Sequence, residues 1–287
     1  MRLRPFSCRQ GPLVLVLVAL LAWLLRAEGA GAASPPPARR ILSLGPSLTE
    51  MVYALGLEGR LVGRTSLCNH PAAAVRVPAV GAVSGWNEER VVALAPDVIL
   101  ALEGARGPVE RLARLTGARL VVLPTESLQD VGRNMCRIAA LAGVGARGEQ
   151  WAARLARELG VRRARAARRP HPSVFYMVWD EPLMAAGPRS YLGDLIAVAG
   201  GRNVVPDSVR ASYPTFGWEA LVAADPEVVL APQERAPALA RLATRHPGVR
   251  AVQAGRLHTL PDDLVSRPGP RVLEALTAIE RALRPPR

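Results

Sequence analysis

Residues 91–101 read Val-Val-Ala-Leu-Ala-Pro-Asp-Val-Ile-Leu-Ala, and residues 221–231 read Leu-Val-Ala-Ala-Asp-Pro-Glu-Val-Val-Leu-Ala. The second stretch lies 130 residues after the first, and six of the eleven positions are identical. Each reads as the end of a helix, a proline break and a buried strand, since proline cannot continue a helix and the apolar run after it suits a strand covered on both faces. The same offset sets Glu89 against Glu219 and Trp86 against Phe216. The period is too long for a solenoid array. It fits instead two similar lobes with a cleft between them, and such clefts bind small ligands.

Working outward, the first lobe alternates strand and helix. Strands are expected at Arg40–Leu44, from Leu61, at Asp97–Leu102 and at Arg119–Leu123, and helices at Leu48–Leu55, Asn87–Leu94, Gly107–Leu115 and Leu128–Leu141. Ser47 is expected to cap the first helix, with Glu50 three residues on completing a capping box. This alternation argues a mainly parallel sheet with helices on both faces. Residues 147–168 keep apolar positions Trp151, Leu155, Leu159 and Ala166 at helical spacing until Pro170 and Pro172 stop them. Such a helix is about 30 Å long, and it separates the two copies of the repeat. The second lobe begins with a strand at Ser173–Met177, continues with helices at Ser190–Ala199 and Trp218–Ala223 and strands at Val228–Leu230 and Arg256–Leu260, and ends in a helix over Pro270–Leu283.

At the N-terminus, Arg2, Arg4 and Arg9 precede an apolar run from Gly11 to Leu25, and small residues ending in Ala30-Gly31-Ala32 follow. The run is shorter than the about 20 residues a membrane span requires, so this is a secretory signal peptide with cleavage expected near Ala32. Cys8 precedes the apolar run and cannot serve as a lipid attachment site. The expected organisation is therefore a signal peptide over 1–32, a proline-rich tether over 33–39, an N-terminal lobe over 40–146, an interlobe helix over 147–169 and a C-terminal lobe over 170–287.

The formal charge is +13, and all 37 basic residues are arginine. In a chain also rich in Ala, Gly, Pro and Val this is compositional bias rather than a nucleic-acid footprint. The densest group, Arg162, Arg163, Arg165, Arg168 and Arg169, closes a helix, where positive charge suits the dipole. Cys68 and Cys136 remain after the leader, and nothing in the sequence sets their distance. No Cys/His cluster suggests zinc. There is no Gly-x-Ser-x-Gly elbow and no phosphate-binding loop ending in Gly-Lys, so an enzyme is not expected; a periplasmic enzyme, or a sensor whose loaded form docks on a receptor, is the alternative of another class.

Taken in order, the leader, Ser-Leu-Gly-Pro-Ser-Leu-Thr-Glu at 43–50, Cys-Asn-His-Pro at 68–71, the first repeat copy, the long central helix, Ala-Gly-Gly-Arg-Asn-Val at 199–204, Trp-Glu-Ala-Leu at 218–221 and Arg-Pro-Gly-Pro-Arg at 267–271 resemble the periplasmic solute-binding proteins for vitamin B12, haem and ferric siderophores that feed ABC importers. The resemblance runs from about residue 40 to the C-terminus. It implies two Rossmann-like α/β lobes with mainly parallel sheets, joined by one long backbone helix and moving little against each other. It implies a monomer working with permease transmembrane subunits, a small-molecule metal chelate as ligand and no catalytic cofactor.

Cys68-Asn69-His70-Pro71 is most similar to the Cys-Asp-Tyr-Pro segment of cobalamin-type members. It departs at His70, where haem-type members carry a ligating tyrosine. Cobalamin is thus the first expectation, with haem (His70 as an axial ligand) and a ferric siderophore as alternatives. Glu89 and Glu219 match the glutamates that dock each lobe tip on the permease; read from the chain alone, they are carboxylates at helix N-termini worth about 0.3–1 kcal/mol each. Trp86, Trp179 and Tyr213 lie in loops or at a strand end and offer flat apolar surface with a polar edge, suited to a corrin or porphyrin ring; the plain alternative is packing at the lobe surface. Asp263 and Arg267 precede the Pro-Gly-Pro-Arg segment that adjoins the pocket in cobalamin-type members, where Asp accepts and Arg donates hydrogen bonds; the plain alternative is a solvated ion pair.

Overall fold

The computed structural model describes residues 36–82 and 85–285. The signal peptide expected over 1–32 and the start of the tether lie outside the described residues. No helix among the described residues is long and apolar enough to cross a membrane.

The first lobe is built on a four-stranded parallel sheet of β1 (Ile41–Ser43), β2 (Leu61–Arg64), β3 (Val98–Leu102) and β4 (Arg119–Leu123), in the order β2-β1-β3-β4. Its helices are α1 (Pro46–Ala54), α2 (Glu88–Ala93), α3 (Arg106–Thr116) and α4 (Leu128–Leu141). Then comes the long α5 (Gly145–Ala166). The second lobe has β5 (Ser173–Asp180), β6 (Leu183–Ala185), α6 (Tyr191–Ala199), β7 (Arg202–Asn203), α7 (Trp218–Ala224), β8 (Val228–Pro232), α8 (Ala236–Arg245), α9 (Arg250–Gln253), β9 (Leu257–Leu260), α10 (Asp262–Val265) and α11 (Val272–Ala282). Here β5, β8 and β9 are parallel neighbours, β7 is parallel to β5, and β6 runs antiparallel to it.

The repeat is structural as well as sequential. Ile99 pairs with Leu42 in one sheet, and Val229 pairs with Phe175 in the other. Ala95 (φ 41°) and Asp225 (φ 40°) end α2 and α7 in the left-handed conformation, a helix stop that glycine usually supplies. After the proline, Asp97 and Glu227 play the same part. Asp97 accepts from the Arg39 and Arg40 backbone N–H groups at 2.7 and 3.1 Å, and Glu227 accepts from the Ser173 N–H at 2.7 Å. Each carboxylate thus fastens the entry of its lobe's first strand.

Side-chain caps start three of the helices. Asn87 accepts from the Arg90 N–H at 2.8 Å, Ser127 and Asp130 form a reciprocal capping box, and Ser190 accepts from the Gly193 N–H at 3.0 Å. The first helix departs from the sequence reading. It begins at Pro46, its N-cap is Gly45 with no side-chain bond, and Ser47 is buried inside it. Proline suits that first position because its missing donor is unneeded there, and Glu50 is released from capping for another task.

One buried cluster spans both lobes. Leu155 and Leu159 of α5 join Leu48 and Met135 from the first lobe and Val174, Ile196 and Leu276 from the second. Gly148 lets α5 press on α4: a Cβ there would lie 2.7 Å from the Ala139 Cβ and 2.8 Å from the Cys136 Cα. A continuous apolar core across the junction opposes motion between the lobes. Trp151 packs against this core as a partly buried residue. Cys68 is buried, Cys136 half-buried, and both are free thiols.

Candidate functional site

The lobes also meet through charge. Glu50 of α1 is 3% exposed, and its carboxylate faces the second lobe. Arg271 grips it bidentately, Nε to Oε2 at 2.9 Å and Nη2 to Oε1 at 2.7 Å. Arg267 Nη1 lies 3.4 Å from the same Oε1. A buried carboxylate is tolerable only with such charge-assisted donors, and the hydrogen bonds to Glu50 are the chief reason the Arg271 guanidinium holds its proton more tightly than usual.

Arg267 extends the network to the loop bearing His70. Its Nη1 donates to Asn69 Oδ1 at 2.7 Å, its Nη2 to the Leu67 carbonyl at 3.3 Å and also to Asp263. Asn69 Nδ2 donates back to Asp263 Oδ2 at 2.9 Å. Arg64 shapes that loop from beneath, donating to the carbonyls of Thr65 and Ala74, each at 2.8 Å, and of Val75 at 2.9 Å. Cys68 is buried against Thr65. Asn69 and His70 remain exposed, and Leu67 is 55% exposed. The loop thus has a fixed frame and an open outer face.

A second contact closes the junction elsewhere. Ser212 Oγ donates to Glu126 Oε2 at 2.7 Å, and the Leu128 N–H donates to Asp194 Oδ2 at 2.9 Å. Tyr213 follows Ser212 on a segment hydrogen-bonded beside β6 through Gly187 and Ala185. It keeps 39% of its surface, and partial desolvation, then the Glu126 carboxylate, raise the pKa of its phenol. The buried Tyr191 hydroxyl has no hydrogen-bond partner among the described residues, and burial, then Glu50, push its pKa up.

The structure therefore brings together Asp263, Arg267 and, through Asn69, the loop of His70. Tyr213 stands at the junction on the Glu126 side. Trp86 is half-buried against the outer core of the first lobe, with Leu42, Val80 and Val91. It bridges to Gly81 (φ 136°), where a Cβ would meet the Gly85 carbonyl at 2.2 Å, so only glycine fits. Its indole N–H is buried without an acceptor among the described residues. Trp179, at the end of β5, is 45% exposed; its N–H donates to the Glu181 carbonyl, and Arg235 lies over its ring at 3.6 Å. Glu89 and Glu219 are both exposed in the first turns of α2 and α7. No group of three or more metal-ligating side chains forms among the described residues.

Sequence reasoning missed Glu50, Asn69, Arg271, Glu126 and Ser212. Glu50 carried a signal, a glutamate beside a helix start, but one that pointed to capping. Arg271 stood in the Arg-Pro-Gly-Pro-Arg motif without an assigned partner, because its partner lies 221 positions earlier. The pair at Glu126 and Ser212 left no local pattern.

Known proteins share this fold. The family model described as periplasmic binding protein matches residues 41–264. The vitamin B12-binding protein of Vibrio parahaemolyticus serotype O3:K6 is 25% identical over 245 residues, covering 85% of this chain and 88% of that one. The crystal structure of the periplasmic vitamin B12 binding protein BtuF of Vibrio cholerae superposes with a TM-score of 0.75 at 25% identity, over 86% of this chain and 97% of that one. A periplasmic heme binding protein from Pseudomonas aeruginosa gives a TM-score of 0.75 at 30% identity, over 86% and 93%.

Proposed function

The chain belongs to the periplasmic binding protein family, and from that premise we propose that it is the ligand-capturing component of an ABC importer, holding a corrinoid between its lobes and delivering it to a membrane permease. The observation that carries this reading is the junction itself. The Cys-Asn-His-Pro loop of the first lobe and the 262–271 segment of the second meet there, joined through Asn69, Asp263 and Arg267. The relatives named for vitamin B12 support the choice of ligand.

In this reading His70, Trp86, Trp179, Tyr213, Asp263 and Arg267 contribute to capture, while Glu89 and Glu219 meet arginines on the permease. The matched lobes would divide at 40–146 and 170–287 about the long helix, whose observed span is Gly145–Ala166. The protein works as a monomer in the periplasm after its leader is cleaved. Because one apolar core and one ion cluster tie the lobes, the site is largely preformed, and ordering entropy on capture is small.

A second reading, haem, is favoured by the exposed imidazole of His70 and by the 30% identical heme binding protein. Titration of the mature chain, followed by tryptophan fluorescence and by absorbance, separates the two. The corrinoid reading expects cyanocobalamin to bind with Kd at or below about 1 µM. Tight binding of haemin with a Soret shift that His70→Ala removes, and no response to cyanocobalamin, would replace it with the haem reading.

A further inference from the structure

Because the repeat makes the two lobe tips near-copies, the positions at which they differ are informative. At the 130-residue offset Glu88 corresponds to Trp218, Arg111 to Arg241, Leu115 to Arg245 and Thr116 to His246. In the first lobe, Arg111 Nε pairs with Glu88 Oε1 at 2.9 Å and ties α2 to α3. In the second, Trp218 takes the place of Glu88 and stacks on His246, with centroids 6.1 Å apart and planes at 17°. Arg241, without that glutamate, turns to Asp180 at 2.5 Å and Glu181 at 3.8 Å.

What remains is a notch of 330 Å³ lined by Glu181, Trp218, Arg241, Leu242, Arg245 and His246. Glu219, the residue after Trp218 in α7, is exposed. Asp180 already holds both Arg235 and Arg241, and Asp225 holds Arg250, which leaves the exposed Arg245 without an anionic partner among the described residues. Among the lining residues Arg241 and Arg245 outnumber Glu181, so the lining is net positive.

We propose that this notch receives a carboxylate side chain of the permease and gives docking its polarity. The inference rests on the reading of the chain as an importer's binding component. Two tips presenting only an acidic residue would look alike to a partner with matching basic sites. A tip that pairs an exposed glutamate with a basic, aromatic-walled notch presents both charges in a fixed order; at the corresponding positions its counterpart has Glu88, Leu115 and Thr116, and so has neither the aromatic wall nor the Arg245 guanidinium. Arg245 supplies a planar pair of donors suited to a carboxylate, and the stacked Trp218 and His246 supply apolar wall. Complementary charge of this kind sets orientation and association rate.

The test measures association of the chain with its cognate permease complex in lipid nanodiscs at low and high salt. Arg245→Glu is exposed, so its thermal midpoint and cyanocobalamin affinity should stay unchanged while the association rate falls at least about tenfold at low salt. Leu115→Glu, the equivalent change in the first lobe, should leave the rate within about twofold. An unchanged rate for Arg245→Glu, or a faster one as for a cationic guest, overturns the notch. The unaltered chain distinguishes the two levels: if it does not associate with the permease at all, the importer reading itself fails, whereas if it associates and Arg245→Glu changes nothing, only the notch fails.

Discussion

Replacing Glu50 by Gln tests the electrostatic seam between the lobes. The side chain is 3% exposed and receives Arg271 at 2.9 and 2.7 Å and Arg267 at 3.4 Å. Removing one member of a buried ion pair costs about 3–5 kcal/mol, because the partners stay buried without their counter-charge. Here relief is available: Arg271 also donates to the Asp263 carbonyl at 2.7 Å, and Arg267 keeps Asn69 and Asp263. The arginines are 18% and 11% exposed, so some water reaches them. The expected loss is therefore at the lower bound, about 3 kcal/mol, which for a chain of this size lowers the thermal midpoint by about 6–12 °C. Guanidinium chloride unfolding of the mature protein reads it directly. Since the pair is buried, the loss should persist when urea unfolding is repeated at about 1 M salt, which screens exposed pairs. A cycle with Arg271→Gln should show coupling above about 1 kcal/mol. A loss under about 1 kcal/mol, or additive single effects, would refute the claim that the seam is an energetic link rather than a loose contact.

Other outcomes follow from the same coordinates. Gly148→Ala should destabilise by about 1–3 kcal/mol in chemical unfolding, because the added methyl would overlap Ala139 and Cys136, and this exceeds the gain in helix propensity of about 1 kcal/mol. The Glu227 carboxyl is held below its usual range, chiefly by the Ser173 backbone N–H; its folded pKa is thus lower than the unfolded value of about 4.3, so its stabilisation is present above that pH and is lost as pH falls through the depressed value. Glu227→Gln should therefore flatten the acid limb of a stability-versus-pH curve and leave its slope at neutral pH unaltered. Reversing both Glu89 and Glu219 to Arg should abolish uptake in a transport assay while the cyanocobalamin titration stays as in wild type; lost affinity would place these carboxylates at the cleft instead.

Much of the fold was legible because its causes are local. The apolar runs at 98–102 and 228–232 are buried parallel strands, as their composition requires, and β4 and α4 have the bounds the sequence suggests. The central helix is legible from Trp151, Leu155 and Leu159 at helical spacing, although it begins two residues earlier than expected. The short β6 and β7 were not, since strands of three and two residues carry no periodicity. Nor was α8, whose exact counterpart in the first lobe was recognised; its opening Ala-Pro-Ala masked the pattern, although the 130-residue offset points to it. At the site, residue types were easier to read than partners. Asp263 and Arg267 were legible as polar residues near a motif. Their joint hold on Asn69, and the turn of Glu50 from cap to interlobe anchor, depend on contacts roughly 200 residues apart in the chain. The placement of Glu89 and Glu219 in the first turns of matching helices was legible because the repeat itself aligns them.

Hydrogen–deuterium exchange of the mature protein with and without saturating cyanocobalamin addresses ligand capture at the junction most directly. Protection should rise in the peptides covering 66–71, 212–214 and 262–271, with little change in α5, whose Leu155 and Leu159 lie in the core shared by both lobes. Protection confined to the outer surface along 162–172, or none in the presence of a ligand that demonstrably binds, would contradict it.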